Sequence, residues 1–114
     1  MYDNLLQVER LLGKLNAALP LASRPTPALA AKLREERGEL PAVSPLLINQ
    51  VTYAGDQGGV MCRITFDDGH NLHVAITHLF FDPRLPVARD IAAYQKHRLK
   101  RIRLYDPANF VNDV

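Results

Sequence analysis

Leu5, Val8, Leu12, Leu15 and Leu19 recur at three- and four-residue intervals, which predicts an amphipathic helix over residues 3–19. Leu6, Leu11 and Ala18 widen its apolar stripe, Asp3 stands at its start as a capping side chain, and Pro20 ends it. The segment 20–26, with prolines at 20 and 25 followed by Pro27, reads as a stiff connector. Thr26-Pro27 is a helix start: a hydroxyl to accept from the free N–H groups, then proline where no N–H is needed. It opens a second helix over 27–37, with Leu29, Ala30 and Leu33 on its apolar side and Gly38 as a left-handed stop. Residues 39–45 hold Pro41 and Pro45 and read as loop.

Beyond residue 45 the period falls from 3.6 to two, and residues 47–77 read as a three-strand meander: 47–54, 59–66 and 70–77. Cross-strand partners must share a face, which tests the register. A three-residue loop 67–69 pairs Phe66 with His70, Ile64 with Leu72, Cys62 with Val74 and Val60 with Ile76, keeping the apolar set together and placing Gly69 at a left-handed bulge position. In the other hairpin Tyr53 faces Val60 and Val51 faces Cys62. Strict alternation then points Asn49 inward beside Ile64, where it needs a hydrogen-bond partner. A basic helix over 86–103 follows, with Ala88, Ile91, Ala92, Gln95, Leu99 and Ile102 on its expected core face, and 104–114 reads as a tail. The expectation is a two-layer α+β fold of order α-α-β-β-β-α: a three-stranded antiparallel meander with helices packed on one face.

The chain of 114 residues, 47% hydrophobic and 23% charged, is sized for one domain, 1–114, and excludes a disordered chain, a coiled-coil rod and a collagen-like repeat. The single cysteine, Cys62, excludes an internal disulfide and a thiolate-rich zinc site. Charged residues interrupt the N-terminal leucines, so they do not read as a signal peptide, and no run is long enough to span a membrane. A cytoplasmic protein, with no membrane partner and no cofactor, is the expectation.

The net charge of +2 is too mild to name a partner, but its distribution is uneven. Residues 96–114 carry five bases and two acids, and Arg89, Lys96, Lys100 and Arg103 line one flank of the last helix over about 21 Å. That ladder suits a phosphate backbone, although cations in the last turns of a helix also complement its dipole. The lead reading is therefore a non-enzymatic binding protein with nucleic acid as its partner.

Two alternatives draw on other residues. The stripe Leu5, Val8, Leu12 and Leu15 could join two copies, giving a homodimeric interaction module. A pocket between helices and sheet, lined by Tyr53, Cys62, His70, Tyr94 and Asn49, could take a small molecule. Catalysis is not expected, because no acid–base pair has legible geometry. His70, His73 and His78 cannot chelate one ion from a continuous strand: the first two face opposite ways, and His78 lies roughly 27 Å from His70. The loop Gly55-Asp56-Gln57-Gly58-Gly59 joins strands and lacks a following Lys-Ser or Lys-Thr, so it is a hairpin turn and not a phosphate loop.

Overall fold

A computed structural model describes residues 3–38 and 45–105. Among these the elements run α1 (Leu5–Ala18), β1 (Leu21–Pro25), α2 (Pro27–Arg37), β2 (Leu46–Tyr53), a 3-10 turn (Gly55–Gln57), β3 (Val60–Thr65), β4 (Asn71–Ala75), a second 3-10 turn (Ile76–His78), β5 (Leu79–Phe80) and α3 (Ala88–Tyr105). The class is mixed α+β, but the sheet is a five-stranded, curled, antiparallel one of order β4-β3-β2-β1-β5. The expected three-strand meander is its β2-β3-β4 part.

The two extra strands lie where sequence patterning is weakest. The proline-flanked connector contains β1, whose Leu21 and Ser23 are buried and whose Ala22 and Arg24 are exposed. Its first three residues pair with β2, from Leu21 opposite Ile48 to Ser23 opposite Leu46. Its last two, Arg24 and Pro25, pair with Phe80 and Leu79 of β5. Proline is tolerated where it ends a strand and need not donate to the ladder. The Ser23 hydroxyl donates to the Leu46 carbonyl at 2.8 Å, which satisfies a buried polar group on the core side.

The third expected strand stops at Ala75, because Ile76–His78 turn as a 3-10 helix. Ile76 is buried all the same, but it is not a register partner of Val60. Gln95 of α3 donates to the carbonyls of Ile76 (2.7 Å) and Leu79 (2.9 Å), satisfying acceptors that the break in the strand leaves over. The inner register is as expected: Cys62 opposite Val74, Ile64 opposite Leu72, Val51 opposite Cys62 and Tyr53 opposite Val60. Gly69 has φ 87° in the β3–β4 turn, and the Phe66 N–H donates to the His70 carbonyl at 2.8 Å.

Asn49 does not point inward. The β2–β3 register shifts between Ile48 and Gln50, so Asn49 and Gln50 together oppose Arg63. This β-bulge returns Val51 to the core face and leaves both polar residues outside.

Helix boundaries follow local chemistry. Asn4, not Asp3, caps α1, its Oδ1 accepting from the N–H groups of Leu6 (3.0 Å) and Gln7 (3.2 Å). Thr26 caps α2 with Pro27 in its first turn, and Gly38 closes it at φ 83°. Residues 39–44, from the expected loop, and 106–114, from the expected tail, lie outside the described residues, while residues 104 and 105 of that tail continue α3.

One apolar cluster draws on every layer: Val8, Leu11 and Leu15 of α1, Leu29 and Leu33 of α2, Ile48, Val60, Cys62 and Ile64 of the sheet, and Ile91 and Tyr94 of α3. The face that α3 gives to this core is not the expected one. Val87, Ile91, Tyr94 and Arg98 are buried, whereas Ala92 and Leu99 are exposed. The helix is rotated because a buried carboxylate takes up Arg98.

Candidate functional site

The rotation of α3 is set by a polar knot inside the fold. Arg98 Nη1 donates to Asp3 Oδ2 at 2.8 Å, with side chains only 4% and 0% exposed. Arg98 Nη2 donates to the backbone carbonyl of Asp56 at 2.8 Å, which ties the first 3-10 turn to the helix. The Tyr53 hydroxyl donates to the same Asp3 oxygen at 2.8 Å. Tyr94 accepts the Val60 N–H at 3.1 Å. Asp3 Oδ1 is buried and lacks a hydrogen-bond partner among the described residues. The guanidinium and the Tyr53 hydroxyl on one Asp3 oxygen offset the cost of taking the pair out of water, and breaking the pair would leave a buried group uncompensated.

Burial pushes the Tyr53 phenol up to about 12, assisted by its hydrogen bond to Asp3 and by the nearby negative charge. Tyr94 is also raised, chiefly by burial. Both shifts favour the neutral phenol.

The five pocket candidates are not brought together. Tyr53 and Tyr94 meet in the knot, Cys62 is buried in the apolar core, Asn49 lies on the outer sheet face, and His70 sits exposed in the β3–β4 turn. His70 belongs to a surface clasp instead. Asp68 accepts from its N–H at 3.0 Å and pairs with its Nδ1 at 3.0 Å. Arg37 of α2 reaches the same carboxylate at 2.7 Å and stacks 3.9 Å from the Phe66 centroid. The hydrogen bonds from His70 and then from Arg37 hold Asp68 well below the ordinary carboxylate range. The clasp joins the end of α2 to the tip of the β3–β4 hairpin.

Space does exist elsewhere, in a cleft of about 280 Å³ between Leu6, Gln7, Arg10 and Lys14 of α1 and Asp90 and Ala93 of α3. It lies between two helices and not between helices and sheet, and the Lys14–Asp90 pair spans it at 3.0 Å. Among the described residues no three His, Cys, Asp or Glu side chains group as metal ligands. None of the described helices is long and apolar enough to cross a membrane.

Burial pushes the Cys62 thiol up to about 12, so almost none of it is thiolate at pH 8. A soluble disulfide reagent should therefore react with the native protein at least roughly 10²-fold more slowly than with the urea-unfolded chain. Equal rates, read by absorbance, would show that Cys62 is open to solvent.

The stripe expected to join two copies faces inward for the most part. Val8 and Leu15 are buried in the chain's own core and Leu12 packs half-buried against it, which leaves Leu5 half exposed at the start of α1. The ladder cations are placed differently. Arg89, Lys96, Lys100 and Arg103 are all exposed. At 3.6 residues per turn their mean direction lies about 180° from that of Val87, Ile91, Tyr94 and Arg98. They form the outer face of α3, not a flank of its buried stripe. The one acid in the first turn of α3, Asp90, is paired with Lys14.

From the sequence alone Arg98 borders the opposite flank of the apolar stripe, and Asp3 is not legible as its partner. The signal was the spacing of Val87, Ile91, Tyr94 and Arg98, a helical stripe whose last member is charged. Comparison with protein-family models, with curated proteins and with solved structures found no match.

Proposed function

We propose that this chain is a non-enzymatic protein that binds nucleic acid by its phosphate backbone, along the outer face of α3. The observation that carries the reading is the rotation set by the Asp3–Arg98 pair, which turns Arg89, Lys96, Lys100 and Arg103 outward on one face about 21 Å long. A row of cations at this spacing neutralises successive phosphates and releases their counterions, which gives affinity without base readout. The face holds no aromatic side chain among the described residues, so it lacks the stacking platforms that single-strand binders use, and duplex is favoured over single strand.

The test is fluorescence anisotropy with labelled duplex DNA and single-stranded RNA at ~50 and ~200 mM salt. Four phosphate contacts predict a loss of roughly 10² in duplex affinity over that range. Reversing charge in a Lys96→Glu, Lys100→Glu, Arg103→Glu variant should weaken binding at low salt at least tenfold and reduce the salt-dependent loss to a few-fold. Wild-type affinity that does not change with salt, or a variant that binds as well as wild type, overturns the reading.

A further inference from the structure

We propose that the outer face of the sheet around Arg63 is a second binding site, for the oxyanion of a phosphate group. The argument rests on the direction of a hydrogen-bond chain. Arg63 Nε donates to Asn49 Oδ1 at 2.7 Å, Asn49 Nδ2 donates to Thr65 Oγ1 at 2.8 Å, and Thr65 Oγ1 donates to Asn71 Oδ1 at 2.7 Å. A guanidinium has donors only, so it forces Asn49 to present its oxygen, and each later group is oriented in turn. Each side-chain oxygen in the chain already accepts one hydrogen bond. The two ends of the chain are donors, the two Nη groups of Arg63 and the Asn71 amide nitrogen, with no partner among the described residues.

Three further features point the same way. The bulge at Ile48/Gln50 is what turns Asn49 outward to hold Arg63, and bulges commonly re-aim a side chain beside a functional site. His73 lies directly across from Arg63 on β4 and adds a ring N–H to the same face. The exposed strand positions of this face, from Arg24 of β1 to His73 of β4, include no aspartate or glutamate. Of the two acids in the adjoining turn, Asp67 and Asp68, the second is held by Arg37 and His70. Four polar side chains from three strands are thus held in one arrangement on an exposed surface, at a cost in side-chain entropy. Two fork nitrogens and an amide match the several acceptor oxygens of a phosphate. The site is independent of α3, because it is built from β2, β3 and β4 alone.

The experiment is a nitrogen-15 NMR titration of the full chain with inorganic phosphate, following the Arg63 Nε–H and Asn71 side-chain amide signals, with chloride at matched ionic strength as the control. Saturable shifts in both groups under phosphate and not under chloride are expected. Arg63→Gln should abolish saturation. Arg63→Lys, which keeps the charge but loses the fork, should weaken binding roughly tenfold, and Asn49→Ala, which only unpins the fork, several-fold. The α3 charge-reversal variant should titrate like wild type, so this site and the nucleic-acid face stand or fall separately. Repeating the titration with phosphoserine and with dimethyl phosphate distinguishes a phosphate monoester from a phosphodiester as the natural source. Shifts that never saturate, that chloride reproduces, or that persist in Arg63→Gln overturn the proposal.

Discussion

Arg98→Met should lower the stability of the fold by about 3–5 kcal/mol, the usual cost of removing one member of a buried ion pair. Asp3 would lose its guanidinium partner in a place where its side chain is fully covered and where, among the described residues, its other oxygen lacks a hydrogen bond. The Tyr53 hydroxyl alone does not replace a guanidinium. The loss exceeds that of an ordinary surface charge, since Lys100→Ala on the same helix should stay within about 0.5 kcal/mol. The sign of the double variant is the sharper test. Asp3→Asn with Arg98→Met removes both charges and leaves an amide that still accepts from Tyr53, so it should recover most of the loss. Urea unfolding of the wild type and the three variants gives these values. If Arg98→Met unfolds at the wild-type midpoint, the pair does not hold α3 in place.

Gly59→Ala should be the other severe substitution, at about 2–5 kcal/mol. Gly59 has φ 65°, where a Cβ costs roughly 1–2 kcal/mol on the backbone alone. The added atom would stand 2.5 Å from the Tyr94 hydroxyl and 2.6 Å from Arg98 Nε. Both side chains are buried and pinned, so they cannot swing aside, and overpacking adds roughly 1–3 kcal/mol. Gly55→Ala is the matched control. Its φ is 70°, but nothing lies within 4 Å of the new Cβ, so only the backbone cost applies. The difference between the two alanine variants in urea unfolding isolates the closeness of the turn to the knot. Equal losses at 55 and 59 would show that the Tyr94–Arg98 wall yields.

How far the fold was legible differs element by element. Thr26-Pro27 and Gly38 bound α2 because capping and left-handed φ are local requirements that few residues meet. The β3–β4 register was legible because a slip by one residue would expose the whole apolar set of Ile64, Cys62, Leu72 and Val74. Other features lack a local signal. A two-residue strand such as Leu79–Phe80 has too few positions to show alternation. In β1 prolines mask a real alternation that only its two neighbours make useful. The bulge at Asn49 breaks the period of two that would reveal it.

The candidate surfaces divide in the same way. That Arg89, Lys96, Lys100 and Arg103 share one side of a helix follows from 3.6 residues per turn, and the sequence by itself determines it. Which side faces the solvent does not follow, because Ala92 and Leu99 make the competing stripe the more apolar one. Only the tertiary structure decides it, by bringing Asp3 from the other end of the chain to Arg98, so that a charged residue goes inside and two apolar ones stay out. Likewise the alternation of β2, β3 and β4 announces a sheet, but only the folded strands line up Arg63, Asn49, Thr65 and Asn71 in one hydrogen-bond chain with donors at both ends. Helical and strand periods are properties of neighbouring residues, whereas the partner of a buried charge and the direction of a hydrogen-bond chain depend on residues that only folding brings together.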